Sequence, residues 1–232
     1  MFEQDTARRR LRPLENLPAN GLMLHEIYPS IQGESTYAGV PCTFVRTTAC
    51  HLRCTYCDTA HAFTQGTLWT LEAAVQEVAR LGTPLVEVTG GEPLLQKNVH
   101  SLMTRLCDLG HTVLLETSGA CDISSVDPRV VRIMDLKTPS SGESAANLWE
   151  NLEHLTLRDE VKFVIGSRED YLWCKEVLKE QRLSERATVL MGTVFGALGP
   201  RELVEWIVED RLPVRMQLQM HKYIWDAKER GV

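Results

Sequence analysis

Three of the seven cysteines fall within eight residues, in the segment Cys50-His51-Leu52-Arg53-Cys54-Thr55-Tyr56-Cys57, a C-x3-C-x2-C spacing. Thiolates are soft donors that suit iron–sulfur clusters and zinc. Three of them can hold three irons of a [4Fe–4S] cubane and leave the fourth iron without a protein ligand. Such an iron can take a small molecule through an amine and a carboxylate. The reduced cluster can then pass one electron into a bound sulfonium, break a carbon–sulfur bond and free a carbon radical. A closed zinc site offers no such position. The competing reading is zinc, with His51, His61 or Cys42 as fourth ligand, but the second C-x2-C or H-x3-5-H half of a structural zinc site is missing. Cys42, Cys107, Cys121 and Cys174 fall on predicted strands, helices or their edges and read as small apolar residues.

Hydrophobic periodicity places these cysteines in a repeating framework. Short apolar runs predict strands over 41–46, 85–89, 112–116, 130–136, 161–165, 188–194 and 214–220. Between them, apolar stripes at helical spacing predict helices over 70–81, 98–109, 146–155, 171–180 and 200–210. In 70–81 the stripe is Leu71, Ala74, Val75, Val78 and Leu81, with Thr70 as cap; in 98–109 Gly110 is the stop. Strands alternating with helices imply parallel βαβ units, hence an α/β protein built as an open doubly wound sheet or a partial barrel. In both, ligands gather at the carboxyl ends of the strands. The cysteines follow the first predicted strand, Gly90-Gly91-Glu92-Pro93 the second, Glu116 to Gly119 the third and Asp135 to Ser141 the fourth, which points to one shared site.

The 232 residues are 44% hydrophobic, enough for one large core, and we read residues 21–232 as one catalytic domain. Residues 1–20 read as a flexible N-terminal extension, and Arg8, Arg9, Arg10 and Arg12 as its solvated basic run. The net charge of −6 argues against nucleic acid or an anionic membrane as partner. No apolar stretch approaches the roughly 20 residues that span a bilayer. Seven cysteines without a secretory signal point to a cytoplasmic protein whose thiols bind metal or catalyse.

With Tyr56 before the last cysteine, C-x3-C-x-Φ-C resembles the signature of the radical S-adenosylmethionine superfamily. Gly90-Gly91-Glu92-Pro93 is similar to that superfamily's GGE element. The likeness narrows to the 7-carboxy-7-deazaguanine synthase family through Tyr28-Pro29-Ser30-Ile31-Gln32-Gly33-Glu34, Phe44-Val45-Arg46, Cys57-Asp58-Thr59, Thr89 before the GGE element, Glu116-Thr117-Ser118-Gly119, Asp135-Leu136-Lys137-Thr138-Pro139 and Gln219-Met220-His221-Lys222.

The resemblance implies a partial (β/α)6-type barrel. It also implies a ring contraction of 6-carboxy-5,6,7,8-tetrahydropterin to 7-carboxy-7-deazaguanine with loss of ammonia, started by a 5′-deoxyadenosyl radical. The implied cofactors are the [4Fe–4S] cluster on Cys50, Cys54 and Cys57, S-adenosyl-L-methionine and Mg2+, with Thr59 as the protein's magnesium ligand. Tyr56, Asp58, Gly91, Glu92, Ser118, Asp135, Lys137 and Ser140 correspond to cofactor contacts, Glu92 holding the methionine ammonium. Ile31, Gln32, Gly33, Glu34, Arg46, Thr89, His221 and Lys222 correspond to substrate contacts, Arg46 offering a planar fork to a carboxylate. Further implications are a homodimer and an electron donor of the flavodoxin or ferredoxin type. Two positions depart from the pattern: Ala49 stands where glycine commonly precedes the first cysteine, and Ser35 follows Gln-Gly-Glu where glycine is usual.

Two rivals share parts of these features. A glycyl-radical activating enzyme has the cysteine motif but acts on a protein, and Gln32-Gly33-Glu34 with Asp58-Thr59 argues against it. A non-catalytic module stabilised by metal would need only the thiolates. Anaerobic reconstitution should therefore give about four irons per chain; zinc alone, or full activity in Cys54→Ala, would contradict the cluster.

Overall fold

Most of the extended segments are buried nearly throughout, and in the computed structural model, which describes residues 10–227 and 229–232, these segments join into one nine-stranded sheet. Its order is β3 (Thr67–Thr70), β1 (Gly21–Ile31), β2 (Pro41–Thr47), β4 (Leu85–Gly90), β5 (Thr112–Thr117), β6 (Val131–Asp135), β7 (Glu160–Ile165), β8 (Thr188–Thr193) and β9 (Arg215–Met216). All pairs from β2 to β9 are parallel, whereas β1 runs antiparallel to β2 and β3. The sheet ends at β3 and β9 without closing, as expected of a partial barrel. Among the described residues no helix is long and apolar enough to cross a membrane.

The two-residue period of the strands sorts their side chains. Val86, Val88, Val113, Leu115, Met134, Val161 and Phe163 face outward into the main core. There they meet α1 (Leu71–Leu81), α2 (Asn98–Asp108), α3 (Arg168–Glu180) and α4 (Pro200–Asp210). The other face is layered. Cys42, Phe44, Leu85, Leu114, Val131 and Ile133 form a small apolar plug. One step further toward the carboxyl ends, Glu87, Glu116 and Asp135 replace them, and the interior becomes polar.

Several elements differ from expectation, each for a local reason. Residues 146–155 form 3-10 turns at Ser144–Ala146 and Trp149–His154 instead of an α-helix. Asn147 exchanges hydrogen bonds with Lys137 N and O at 2.8 and 3.0 Å. Asn151 donates to Cys121 O at 2.8 Å and accepts from Ile123 N at 3.2 Å. Side-chain amides committed in this way compete with a helical backbone. The strand expected over 214–220 keeps only two residues, because the chain leaves the sheet so that Met220 N can bond Gly33 O at 2.8 Å. Helix α3 starts at Arg168, earlier than its apolar stripe, because Ser167 caps it by accepting from Asp170 N. Strands β1 and β3 escaped the sequence reading. β3 is largely exposed, and the middle of β1 is half-buried without alternation.

The expected extension at residues 1–20 falls partly outside the described residues, at 1–9. Residues 10–20 carry a 3-10 turn at Arg12–Leu14, and Arg10 donates to His51 O at 2.7 Å, so this part is packed against the cysteine segment. Cys42 and Cys174 are buried as expected of small apolar residues, while Cys107 and Cys121 are half-buried.

The two departures from the family pattern share one backbone property. Ala49 has φ +79° and Ser35 φ +64°, both in the left-handed region where glycine is unstrained. Ser35 recovers part of the cost, since its Oγ accepts from Tyr37 N at 3.0 Å. Ala49 is fully buried and offsets its strain only through one methyl. In chemical denaturation Ala49→Gly should be as stable as the parent or up to about 1 kcal/mol more stable, strain relief outweighing the lost methyl. Ala49→Val should lose about 2 kcal/mol or more.

Candidate active site

The carboxyl ends of the parallel strands surround a cavity of about 520 Å³. Every residue singled out above as a metal, cofactor or substrate contact lines it except Glu92 and Ser140. The thiols occupy one wall. Cys50 is buried and Cys54 and Cys57 are half-buried; all three are free of disulfides. Their loop is held from both sides. Thr55 bonds Ser141 O through its N–H at 3.0 Å and Ser140 O through its hydroxyl at 2.7 Å. Arg53 folds back to donate to Cys50 O at 2.7 Å and stacks over Phe63 at 4.1 Å.

Gly91 fixes how closely the turn after β4 approaches this loop. A Cβ at Gly91 would stand 2.0 Å from Ala49 O, so no other residue fits. Glu92 N bonds the same carbonyl at 2.8 Å. The Glu92 carboxylate is fully buried behind the wall, where Ser118 N donates to it at 2.7 Å, Thr117 Oγ1 at 2.9 Å and Leu94 N at 3.0 Å. Its oxygens already accept from groups at the ends of β4 and β5. Ser140 is exposed and binds Asp170 through its hydroxyl and, at 2.9 Å, its N–H.

The floor opposite the thiols is a charge cluster that the sequence reading missed. Lys162 of β7 is buried and hydrogen-bonds both Glu116 of β5 and, at 3.0 Å, Glu34; Asp135 Oδ1 of β6 is an ion-pair partner at 3.4 Å. Burial opposes its charge, but these carboxylates outweigh that and hold its pKa well above the ordinary lysine value. Burial likewise pushes Glu116 up, yet Lys162 brings it down to about 2. Glu87 of β4 is the counterpart. It is buried beside Glu116, and both effects raise it well above the usual carboxylate range. Gln32 donates to Glu87 and accepts from Glu34 N at 2.9 Å, so its amide is spent inside the wall.

Arg46 pairs with neither Glu34 nor Asp58. Its Nε donates to Glu26 at 2.7 Å and its Nη2 to Tyr28 O–H at 2.9 Å, so two of five donors fix the plane of the fork. The far rim is α5 (His221–Ile224). A Cβ at Gly33 would lie 2.5 Å from His221 Nδ1, which explains the glycine between Gln32 and Glu34. Burial keeps His221 below its ordinary value. Lys222 donates to Asp58 at 2.7 Å; burial raises that carboxyl, but the ammonium outweighs it and holds it well below the usual range.

Comparison with known proteins decides the family. The model of the Radical SAM superfamily matches residues 44–137. A 7-carboxy-7-deazaguanine synthase of Chlorobaculum tepidum is 47% identical over 215 residues, covering 91% of this chain and 97% of the relative. One from Koribacter versatilis is 41% identical, over 91% of this chain and all of the relative. The chain belongs to the 7-carboxy-7-deazaguanine synthase family. A crystal structure of QueE from Escherichia coli has the same fold, with TM-score 0.71 at 21% identity over 85% of this chain and 94% of that one.

As a radical SAM enzyme of this synthase family, the chain uses a [4Fe–4S] cluster and S-adenosylmethionine, and the thiol wall fits the cluster. Three soft thiol donors on one wall of the cavity, none tied up in a disulfide, suit such a cluster. Burial pushes the Cys50 thiol up to about 11 and raises Cys54 and Cys57 as well. Iron must therefore displace protons to bind. Asp135 Oδ1, buried without a hydrogen bond beside this wall, offers a polar atom to a cofactor.

The charged floor gives a stability prediction for this synthase. Lys162→Met leaves Glu34, Glu116 and Asp135 without their shared cation and should cost about 3–5 kcal/mol at pH 7. Because the folded pKa of Glu116 is depressed, its contribution is present above its unfolded value near 4.3 and lost as pH falls through about 2. Denaturation of the parent should show this acid loss, and the variant should lack it.

Proposed function

We propose that this chain contracts 6-carboxy-5,6,7,8-tetrahydropterin to 7-carboxy-7-deazaguanine with loss of ammonia, in the cytoplasm, as a homodimer served by a flavodoxin- or ferredoxin-type donor. The observation that carries the reading is one cavity with a thiol wall facing a polar floor of matched acids and bases. That arrangement is found in a chain 47% identical to a protein named for this product.

When bound, the cluster and S-adenosylmethionine supply a carbon radical that takes hydrogen from the substrate. The protein's own part is to bind, orient and move protons. Arg46, its plane fixed by Glu26 and Tyr28, offers its remaining donors to the pterin carboxylate. Thr59 donates its hydroxyl proton to Asp58 Oδ1 at 3.0 Å, which leaves its oxygen lone pairs for Mg2+. A single hydroxyl completed by substrate oxygens and water suits that ion. Glu92 acts behind the wall, holding Ser118 and the Gly91 turn where the cofactor lies. Tyr56, Asp58, Lys137 and Asp135 flank the cofactor, and Ser140 acts through Asp170 to place the segment beside the cysteine loop.

Two carboxyls pushed in opposite directions mark a division of labour. Ionised Glu116 can accept a proton from the rearranged ring, and protonated Glu87 can give one to the leaving nitrogen. Ile31, Gly33 and Thr89 shape the pocket, Gln32 and Glu34 hold its floor, and His221 and Lys222 close it.

Anaerobic assay of the reconstituted protein with cofactor, reductant and pterin should give the deazaguanine product by mass, with turnover rising on adding Mg2+. Arg46→Ala should raise KM at least about tenfold. Formation of 5′-deoxyadenosine without any deazaguanine would support the activating-enzyme rival and overturn the proposal.

A further inference from the structure

Strand β1 breaks its own side-chain alternation. Leu22 and Leu24 are fully buried in the main core, whereas Glu26 and Tyr28 line the cavity on the opposite face. The register explains the switch. Leu24 lies opposite Thr47 and Glu26 opposite Arg46, so three residues of β1 face two of β2 and His25 is the extra one. A bulge re-aims the side chains around it. Here it sets the His25 and Glu26 side chains beside each other, which a regular strand would point to opposite faces. His61, in the 3-10 helix Ala60–Phe63 that follows the cysteine loop, completes the group. One ligand atom from each of the three residues lies within 4.8 Å of the other two.

Two of these side chains are oriented by a further partner. Nδ1 of His25 stands 2.9 Å from Gln65 O. A carbonyl only accepts, so that nitrogen carries the proton and Nε2 keeps its lone pair. This is the arrangement usual for metal-binding histidines. Glu26 gives Oε1 to Arg46 at 2.7 Å, and its carboxylate has a second oxygen to offer. The two imidazole rings have centroids 4.8 Å apart and are tilted by 55°, so they are not stacked face to face.

We infer that His25, Glu26 and His61 form a second metal site, for a divalent transition ion of the Zn2+ class. Two imidazoles and a carboxylate select such an ion over Mg2+, which prefers oxygen ligands. Three protein ligands leave a position for water. The site ties the β1 bulge to the turn that carries Thr59 and, through Glu26, to Arg46, while using none of the thiols.

The test uses cluster-loaded protein under anaerobic conditions, titrated with Zn2+ in excess Mg2+ by calorimetry. One equivalent should bind. Zinc-edge X-ray absorption should show nitrogen and oxygen neighbours at about 2.0–2.1 Å and no sulfur at about 2.3 Å, with iron content unchanged. His25→Ala and His61→Ala should each weaken binding at least about tenfold, the loss that outer-shell partners alone can produce. His154→Ala, an exposed histidine elsewhere, should leave it unchanged. Circular dichroism checks the folding of the variants, and the absorption experiment on the parent protein does not depend on them. Absence of saturable binding, sulfur in the zinc shell, or undiminished affinity in both histidine variants would overturn the site.

Discussion

One buried ammonium organises the interior of this protein. Lys162 projects from β7 into the open barrel and gathers Glu34, Glu116 and Asp135, which come from the loop after β1 and from the ends of β5 and β6. Carboxylates gathered on one interior face would otherwise repel one another, at a cost in a medium of low dielectric. The cation makes that layer tolerable, and so lets the carboxyl ends of the sheet be polar while the layer beneath them is an apolar plug. It also sets the protonation of its neighbours. Glu116 is held low because Lys162 is beside it, whereas burial and the charge of Glu116 push Glu87 up despite Lys162 and Arg46.

The opposite wall depends on a steric constraint. With Gly91 pressed against Ala49 O, the turn after β4 and the chain entering the cysteine loop form one body, and Glu92 anchors that body to the end of β5 from behind. In this chain the Gly90-Gly91-Glu92 turn thus has a structural role of its own. Its glycine permits the approach, and its glutamate satisfies backbone and hydroxyl donors that the approach buries. A carboxylate accepting from Leu94 N, Thr117 Oγ1 and both donors of Ser118 is strongly committed. Meeting a cofactor ammonium would require it to exchange one of these partners.

What was legible in the sequence follows from the kind of signal each feature leaves. The cysteine spacing, the GGE turn and most of the apolar strands and helices are local patterns, and these reappear in the structure with small shifts. Lys162 and Glu87 were invisible because each is a single charged residue inside an otherwise apolar strand. Nothing local distinguishes such a residue from one at a solvent-facing position. The alternation of Val161, Lys162 and Phe163 was the available clue, since a strand buried on both faces has no cheap place for a lone charge. The failed helix over 146–155 has a similar origin. Its apolar spacing is adequate, but Asn147 and Asn151 serve loops 10 to 32 residues away, and only the tertiary structure reveals those partners.

Lys137 joins the two walls. It lies 2.5 Å from Asp135, a carboxylate it shares with Lys162. Burial opposes its charge, yet Asp135 and Cys54 more than compensate, so it remains a cation between the thiols and the acidic floor. Three thiolates gathering at Cys50, Cys54 and Cys57 would bring negative charge into a half-buried loop, and this ammonium faces it. The same chain of charges then runs from the thiol wall through Lys137, Asp135 and Lys162 to Glu116.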